Sequence, residues 1–204
     1  MTVRLVLASA SPRRRQLLEQ LGLSVEVRPA DVDETARPAE EPRAHVERLA
    51  REKAEAVARL EPDALVLGGD TVVVLDDEIL TKPGDAADAV AMLLRLEGRG
   101  HRVETGVAVV APDGRTAVAV VSASVRFRSF GREMAESYVA TGEPLDKAGG
   151  YGIQGYGSVL VESIRGDYFA VMGLPVARVV RLLEELGYRY AFGRVTALET
   201  TEQR

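Results

Sequence analysis

Reactive side chains are concentrated in a few short segments. Ser9-Ala10-Ser11-Pro12-Arg13-Arg14-Arg15 joins an apolar run, Val3–Ala8, to a helical stretch. Ser11 suits an N-cap and Pro12 a first helical residue. Three arginines in that first turn oppose the helix dipole, each by ~0.3–1 kcal/mol at low salt, and repel one another. An anion held by the free backbone N–H groups and guanidinium forks would make the arrangement favourable. A solvated basic turn paired with nearby Glu or Asp is the plainer reading.

Asp31-Val32-Asp33-Glu34 is an acidic loop whose oxygens suit a hard divalent cation, although such loops are also ordinary solvated turns. Lys53 falls inside the apolar stripe Val46, Leu49, Ala50, Val57, where an ammonium must either snorkel to solvent or meet an anion. Gly68-Gly69-Asp70-Thr71 sets a carboxylate just past an apolar strand, the place where α/β folds gather their sites. The paired glycines admit another backbone or a ligand. Lys82-Pro83 follows one short hairpin later and reads alone as a loop lysine.

The run Gly149-Gly150-Tyr151-Gly152-Ile153-Gln154-Gly155-Tyr156-Gly157 contains a formal GxGxxG, but a strand follows it and no helix begins there. A dinucleotide fingerprint is therefore rejected. Glycines at this density let a backbone loop wrap a ligand, with Gln154 able to read a base edge and the tyrosines able to stack. His45 and His101 are too few and too isolated for a histidine metal site or a triad. No GxxxxGK[ST] occurs, which removes the P-loop class.

The elements that must position these residues alternate. Strands are predicted at Val3–Ala8, Ser24–Arg28, Ala64–Leu67 extended by Thr71–Leu75, Arg102–Val110, Thr116–Arg128 and Ser158–Ile164. Helices are predicted at Ser11–Leu21, from about Glu41 to Leu60, and at Ala86–Leu96, Arg132–Ala140 and Pro175–Leu186. Pro112-Asp113-Gly114 marks a hairpin between the two longest strands. The pattern implies an α/β fold with a mixed, partly antiparallel twisted sheet flanked by helices. One domain is expected over residues 1–188, with 189–204 a weakly ordered tail.

Composition narrows the classes. The 204 residues carry a formal charge of −5 and no cysteine, which excludes disulfides, thiolate metal sites and a cysteine nucleophile. The acidic balance argues against a broad nucleic-acid face, and no apolar run approaches the roughly 20 residues of a membrane span. Positive charge on the wrong side of the short N-terminal apolar stretch argues against a signal peptide. Of the 26 basic residues only Lys53, Lys82 and Lys147 are lysines. A compact ammonium at these three positions invites a reason, because Arg and Lys are not interchangeable at a site.

In order along the chain, several motifs carry a resemblance. They are Leu7-Ala8-Ser9-Ala10-Ser11-Pro12-Arg13-Arg14, Asp33-Glu34, Leu49-Ala50-Arg51-Glu52-Lys53-Ala54, Gly69-Asp70-Thr71 and Lys82-Pro83. Asp146-Lys147-Ala148-Gly149-Gly150-Tyr151-Gly152-Ile153-Gln154-Gly155 and Gly173-Leu174-Pro175 complete the set. Together they resemble the Maf family of nucleoside triphosphate pyrophosphatases, also called septum-formation-inhibitor proteins, from Leu7 to about Leu186. The resemblance implies two lobes around a deep cleft, a homodimer, a cytoplasmic setting, and hydrolysis between the α and β phosphates. It implies Asp70 as general base, and Glu34 and Asp70 as holders of a divalent cation, Mg²⁺ or Mn²⁺. Ser9, Arg13, Arg14, Lys53 and Lys82 would grip the triphosphate. Arg13, Thr71 and Gln154 match the branch that prefers dTTP and UTP. A nucleotide-sensing regulator of cell division, binding without dependence on hydrolysis, is the competing expectation.

Overall fold

The computed structural model describes residues 3–198; the last part of the expected tail, 199–204, lies outside the described residues. In chain order the regular elements are β1 (Leu5–Leu7), α1 (Pro12–Gln20), β2 (Glu26–Val27), α2 (Pro42–Ala58), β3 (Leu65–Leu75), β4 (Glu78–Leu80) and α3 (Ala86–Leu96). They continue with β5 (Gly100–Val110), β6 (Thr116–Phe127), α4 (Gly131–Val139), β7 (Val161–Arg165), α5 (Tyr168–Met172), α6 (Val176–Glu185), β8 (Tyr188–Tyr190) and β9 (Val195–Ala197). Seven strands form one sheet in the order β2-β1-β3-β5-β6-β7, with β4 on the free part of β3. β1 runs parallel to β2 and β3, and the remaining pairs are antiparallel, so the expected mixed α/β sheet is present.

β3 is the spine. Its apolar residues on both sides of Gly68-Gly69 and continuous pairing with β5, from Val66 opposite Val110 to Val74 opposite Arg102, keep it extended through Asp70. The expectation that Asp70 lies just past a strand end is thereby corrected: it sits mid-strand, opposite Gly106. What ends there is the parallel pairing. β1 covers Leu65–Leu67 and β4 covers Val73–Leu75 on the same edge, leaving Gly68–Val72 with β5 alone. That gap is where a ligand can reach the sheet edge.

α2 lies on one face, packing Ala50, Ala54 and Val57 on Val66, Ala108 and Val110. Its approach is close because a Cβ at Gly68 would stand 2.3 Å from the Ala50 carbonyl oxygen, and one at Gly106 only 2.1 Å from that of Val46. The backbone admitted by the glycine pair is thus a helix. On the opposite face two separate cores form, one joining Leu17, Leu18, Leu182 and Leu183 to Leu65 and Leu67, the other joining Leu93, Leu96 and Ala135 to Val73, Val103 and Phe127.

Three local expectations change. The stretch before β7 forms a 3-10 turn over Gly155–Leu160, with the strand starting only at Val161, because glycines at 155 and 157 permit the tight turn. A short α5, capped by Asp167 accepting from the N–H groups of Phe169 and Ala170, fills what reads as loop. Residues 188–197 are no weakly ordered tail: β8 and β9 pair as a hairpin, and Val195, buried, joins the core beneath α1 and α6.

Candidate active site

A cavity of about 840 Å³ opens at the β1–β4 gap. Its lining includes Ser9, Arg13, Arg14, Glu34, Lys53, Asp70, Thr71, Lys82 and Gln154, so all the residues to which the resemblance gives a site role reach one place. The β1–α1 junction, the β2–α2 loop, α2, β3, the β4–α3 loop and the 152–155 loop supply them from six parts of the chain.

The buried centre is an ion pair. Lys53 Nζ lies 2.8 Å from Asp70 Oδ1 and 2.8 Å from Glu34 Oε1. Lys53 and Asp70 are both buried, whereas Glu34 reaches in from an exposed loop. Alternation along β3 puts Gly68 and Asp70 on the face that α2 covers, so the glycine that lets the helix approach also brings Lys53 to Asp70. The lysine in the apolar stripe therefore meets anions instead of snorkelling.

The arginine triplet divides three ways. Ser11 caps α1, its side chain accepting from Arg14 N–H. Arg15 turns outward to Glu19, 2.6 Å away at i+4, and is the plain solvated pair. Arg13 stays at the cavity, 3.8 Å from the exposed carboxylate of Asp146. Arg14 is buried, and its guanidinium donates to Gly173 O at 2.8 Å, Ser9 Oγ at 2.9 Å and Thr71 Oγ1 at 3.1 Å. Burial pulls its pKa down while nearby Asp70 opposes that shift. Three of its five N–H donors thus fix the hydroxyls on either side of it and the Gly173 carbonyl, and Arg14 still lines the cavity.

Hydroxyl polarity follows from these contacts. Ser9 Oγ accepts from Arg14 and from the N–H of Ser11 at 3.2 Å, which leaves its own hydrogen for a ligand. Thr105, fully buried, donates to Ala170 O at 2.8 Å, so in its 3.0 Å contact with Thr71 the donor is Thr71. One hydroxyl beside Arg14 can donate to an anion and the other cannot.

Lys82, exposed, and Gln154, exposed, lie on the cavity's loop side. There Lys147 Nζ donates to Asp146 Oδ1 and to the Glu143 carbonyl, both at 2.5 Å. Glu34 and Asp70 both converge on the Lys53 ammonium, and their second carboxylate oxygens are hard donors of the kind that suits Mg²⁺ or Mn²⁺. Among the described residues no three His, Cys, Asp or Glu side chains gather as a complete metal cage.

The family model described as Maf-like protein matches residues 4–186. The chain belongs to the Maf family. Curated relatives span nearly the whole domain. A protein from Moorella thermoacetica is 53% identical over 193 residues, covering 94% of this chain and 99% of its own length. Relatives from Desulfotalea psychrophila and Symbiobacterium thermophilum are each 52% identical, over 88% and 90% of this chain and 92% and 94% of their own lengths. All three are named dTTP/UTP pyrophosphatase.

Sequence reasoning overlooked Tyr138, Glu143 and Thr105 in this Maf site. Gly142-Glu143-Pro144 reads only as a turn, and nothing in its spacing signals that the carboxylate reaches Tyr156 and Gly157. Thr105 lies in a long β run where threonine is an ordinary strand former.

Proposed function

We propose that this chain hydrolyses nucleoside triphosphates, dTTP and UTP foremost, to the monophosphate and pyrophosphate. The buried Lys53–Asp70 pair at the sheet gap carries the reading, set beside the donor hydroxyl of Ser9 and the cations Arg13 and Lys82. The names of the relatives point the same way.

In this reading the triphosphate oxygens take over Lys53, Arg13, Lys82 and the Ser9 hydroxyl. Asp70 accepts the proton of a water whose oxygen attacks the α-phosphorus. The new oxygen–phosphorus bond replaces the α–β bridging bond, and pyrophosphate leaves with its charge held by the cations. Glu34 and Asp70 would hold a divalent cation, Mg²⁺ or Mn²⁺, which polarises the phosphates and the water when bound. Arg14 fixes Ser9 and Thr71 and keeps two of its five N–H donors for the phosphates. A cytoplasmic homodimer fits the family resemblance, and no helix among the described residues is long and apolar enough to cross a membrane.

The test is a nucleotide panel with Mg²⁺ or Mn²⁺, with products separated chromatographically. Monophosphate and pyrophosphate from dTTP and UTP are expected. Diphosphate with orthophosphate, or silence across the panel, would overturn the reading.

A further inference from the structure

The loop side of the cavity contains a hydrogen-bonded device that the hydrolysis reading leaves unused. Glu143, in the 3-10 turn Glu143–Asp146, accepts from Tyr138 Oη at 2.8 Å and Gly157 N–H at 3.1 Å through Oε1. Its Oε2 accepts from Tyr156 N–H at 3.0 Å. Tyr138 Oη in turn accepts from Gly152 N–H at 2.9 Å. An N–H only donates and a carboxylate only accepts, so the chain Gly152 to Tyr138 to Glu143 has one possible polarity. It ties down both ends of the loop 152–157, the segment that carries Gln154.

The fit is tight. A Cβ at Gly155 would fall 2.6 Å from Glu143 Oε2, and one at Gly157 2.3 Å from Gly152 O and 2.5 Å from Tyr138 Oη. The loop therefore lies directly on the two side chains. Burial pushes the Tyr138 hydroxyl well above the usual phenol range. Burial also pushes Glu143 up, but hydrogen bonds from Tyr138, Gly157 and Tyr156 outweigh it and leave the carboxyl below its ordinary value. The proton stays on Tyr138 throughout the neutral range. With three donors already on its carboxylate, Glu143 is poorly placed to serve as a base or a metal ligand, although it lines the cavity.

We propose that Tyr138 and Glu143 form a clamp that sets base selection by fixing the loop 152–157 and with it the Gln154 amide. This rests on the pyrophosphatase reading, in which a nucleotide base lies along that wall. An amide can discriminate a uracil or thymine edge from a cytosine edge only if its position is held, since the pattern of donors and acceptors is what differs. Tyr138 and Glu143 are thus positioning residues, acting through the loop.

Tyr138→Phe keeps the ring and removes the hydroxyl at the centre of the chain; Glu143→Gln removes the charge. For dTTP and UTP we expect KM to rise about tenfold, the scale of one lost hydrogen bond to the ligand, with kcat within about twofold. Preference over CTP should fall by the same factor, and amide exchange at Gly152, Tyr156 and Gly157 should quicken. Equilibrium titration of UTP and CTP without metal reads the same selectivity independently of turnover. Silence of the wild-type chain in the nucleotide panel would thus defeat the pyrophosphatase reading while the titration still judged the clamp. Unchanged UTP-over-CTP selectivity in folded Tyr138→Phe would overturn the clamp, as would a fall in kcat at constant KM.

Discussion

The sheet side and the loop side of the cavity place charged groups by opposite means. On the sheet side, Lys53 and Asp70 are buried on α2 and β3, and Arg14 is locked by three acceptors from separate elements. On the loop side, Lys82, Asp146 and Gln154 are exposed, on connections held by hydrogen bonds to a few side chains. In the proposed reading, chemistry that needs tight geometry falls on rigid elements, and part of the selection among similar ligands falls on loops that can be retuned without disturbing the core. The contrast teaches that a substitution on the sheet side should cost turnover or folding, whereas one on the loop side should cost affinity and selectivity.

Lys53→Met strikes the sheet side at its buried ion pair. It strips Asp70 of its buried counter-charge, and kcat/KM for dTTP should fall by roughly 10²–10³ in steady-state assays. A loss below tenfold would mean that Lys53 is merely a buried structural lysine. Arg14→Lys comes next: a single ammonium cannot span Gly173 O, Ser9 Oγ and Thr71 Oγ1, so urea unfolding should show a loss of about 2–4 kcal/mol.

A third effect lies in the core near both sides. Buried His101, 2.7 Å from Tyr151 Oη, has its pKa lowered by burial from 6.5 to about 4. The unfolded chain therefore binds the proton first, and this contribution is present above pH 6.5 and lost as pH falls toward 4. Its size is at most about 3 kcal/mol. Urea melts from pH 7 to 4.5 should fall more steeply for wild type than for His101→Gln; parallel profiles would refute the assignment. The smallest effect belongs to the loop side. Asp146→Asn loosens an exposed contact 3.8 Å from Arg13, so KM should move less than about threefold with stability unchanged. A large loss of kcat there would erase the distinction between the two sides.

Legibility in the sequence follows the same division. Ser11-Pro12, the apolar stripe around Lys53 and the glycine pair before Asp70 are local signals, and they led to α1, α2, β3 and most of the sheet-side residues. The division of labour among Arg13, Arg14 and Arg15 was not readable, because identical neighbours on a helix are sorted only by what packs around them. Asp70 read as a strand end because glycines interrupt the apolar pattern; long-range pairing with Gly106 decides otherwise. Glu143 and Thr105 were invisible because most of their partners are distant in the chain, 13–14 residues for Glu143 and 34 and 65 for Thr105. The hairpin after α6 was obscured by its mixed polar composition, its burial depending on Val195 alone reaching the core fully.

The central claim is that Asp70 takes the proton from water while its surroundings bind the triphosphate. Asp70→Asn keeps the shape and removes the basic oxygen, so pyrophosphate release from dTTP should drop by at least about 10³-fold while metal-free dTTP binding stays within about threefold of wild type. Turnover within tenfold of wild type in the folded variant would contradict the account.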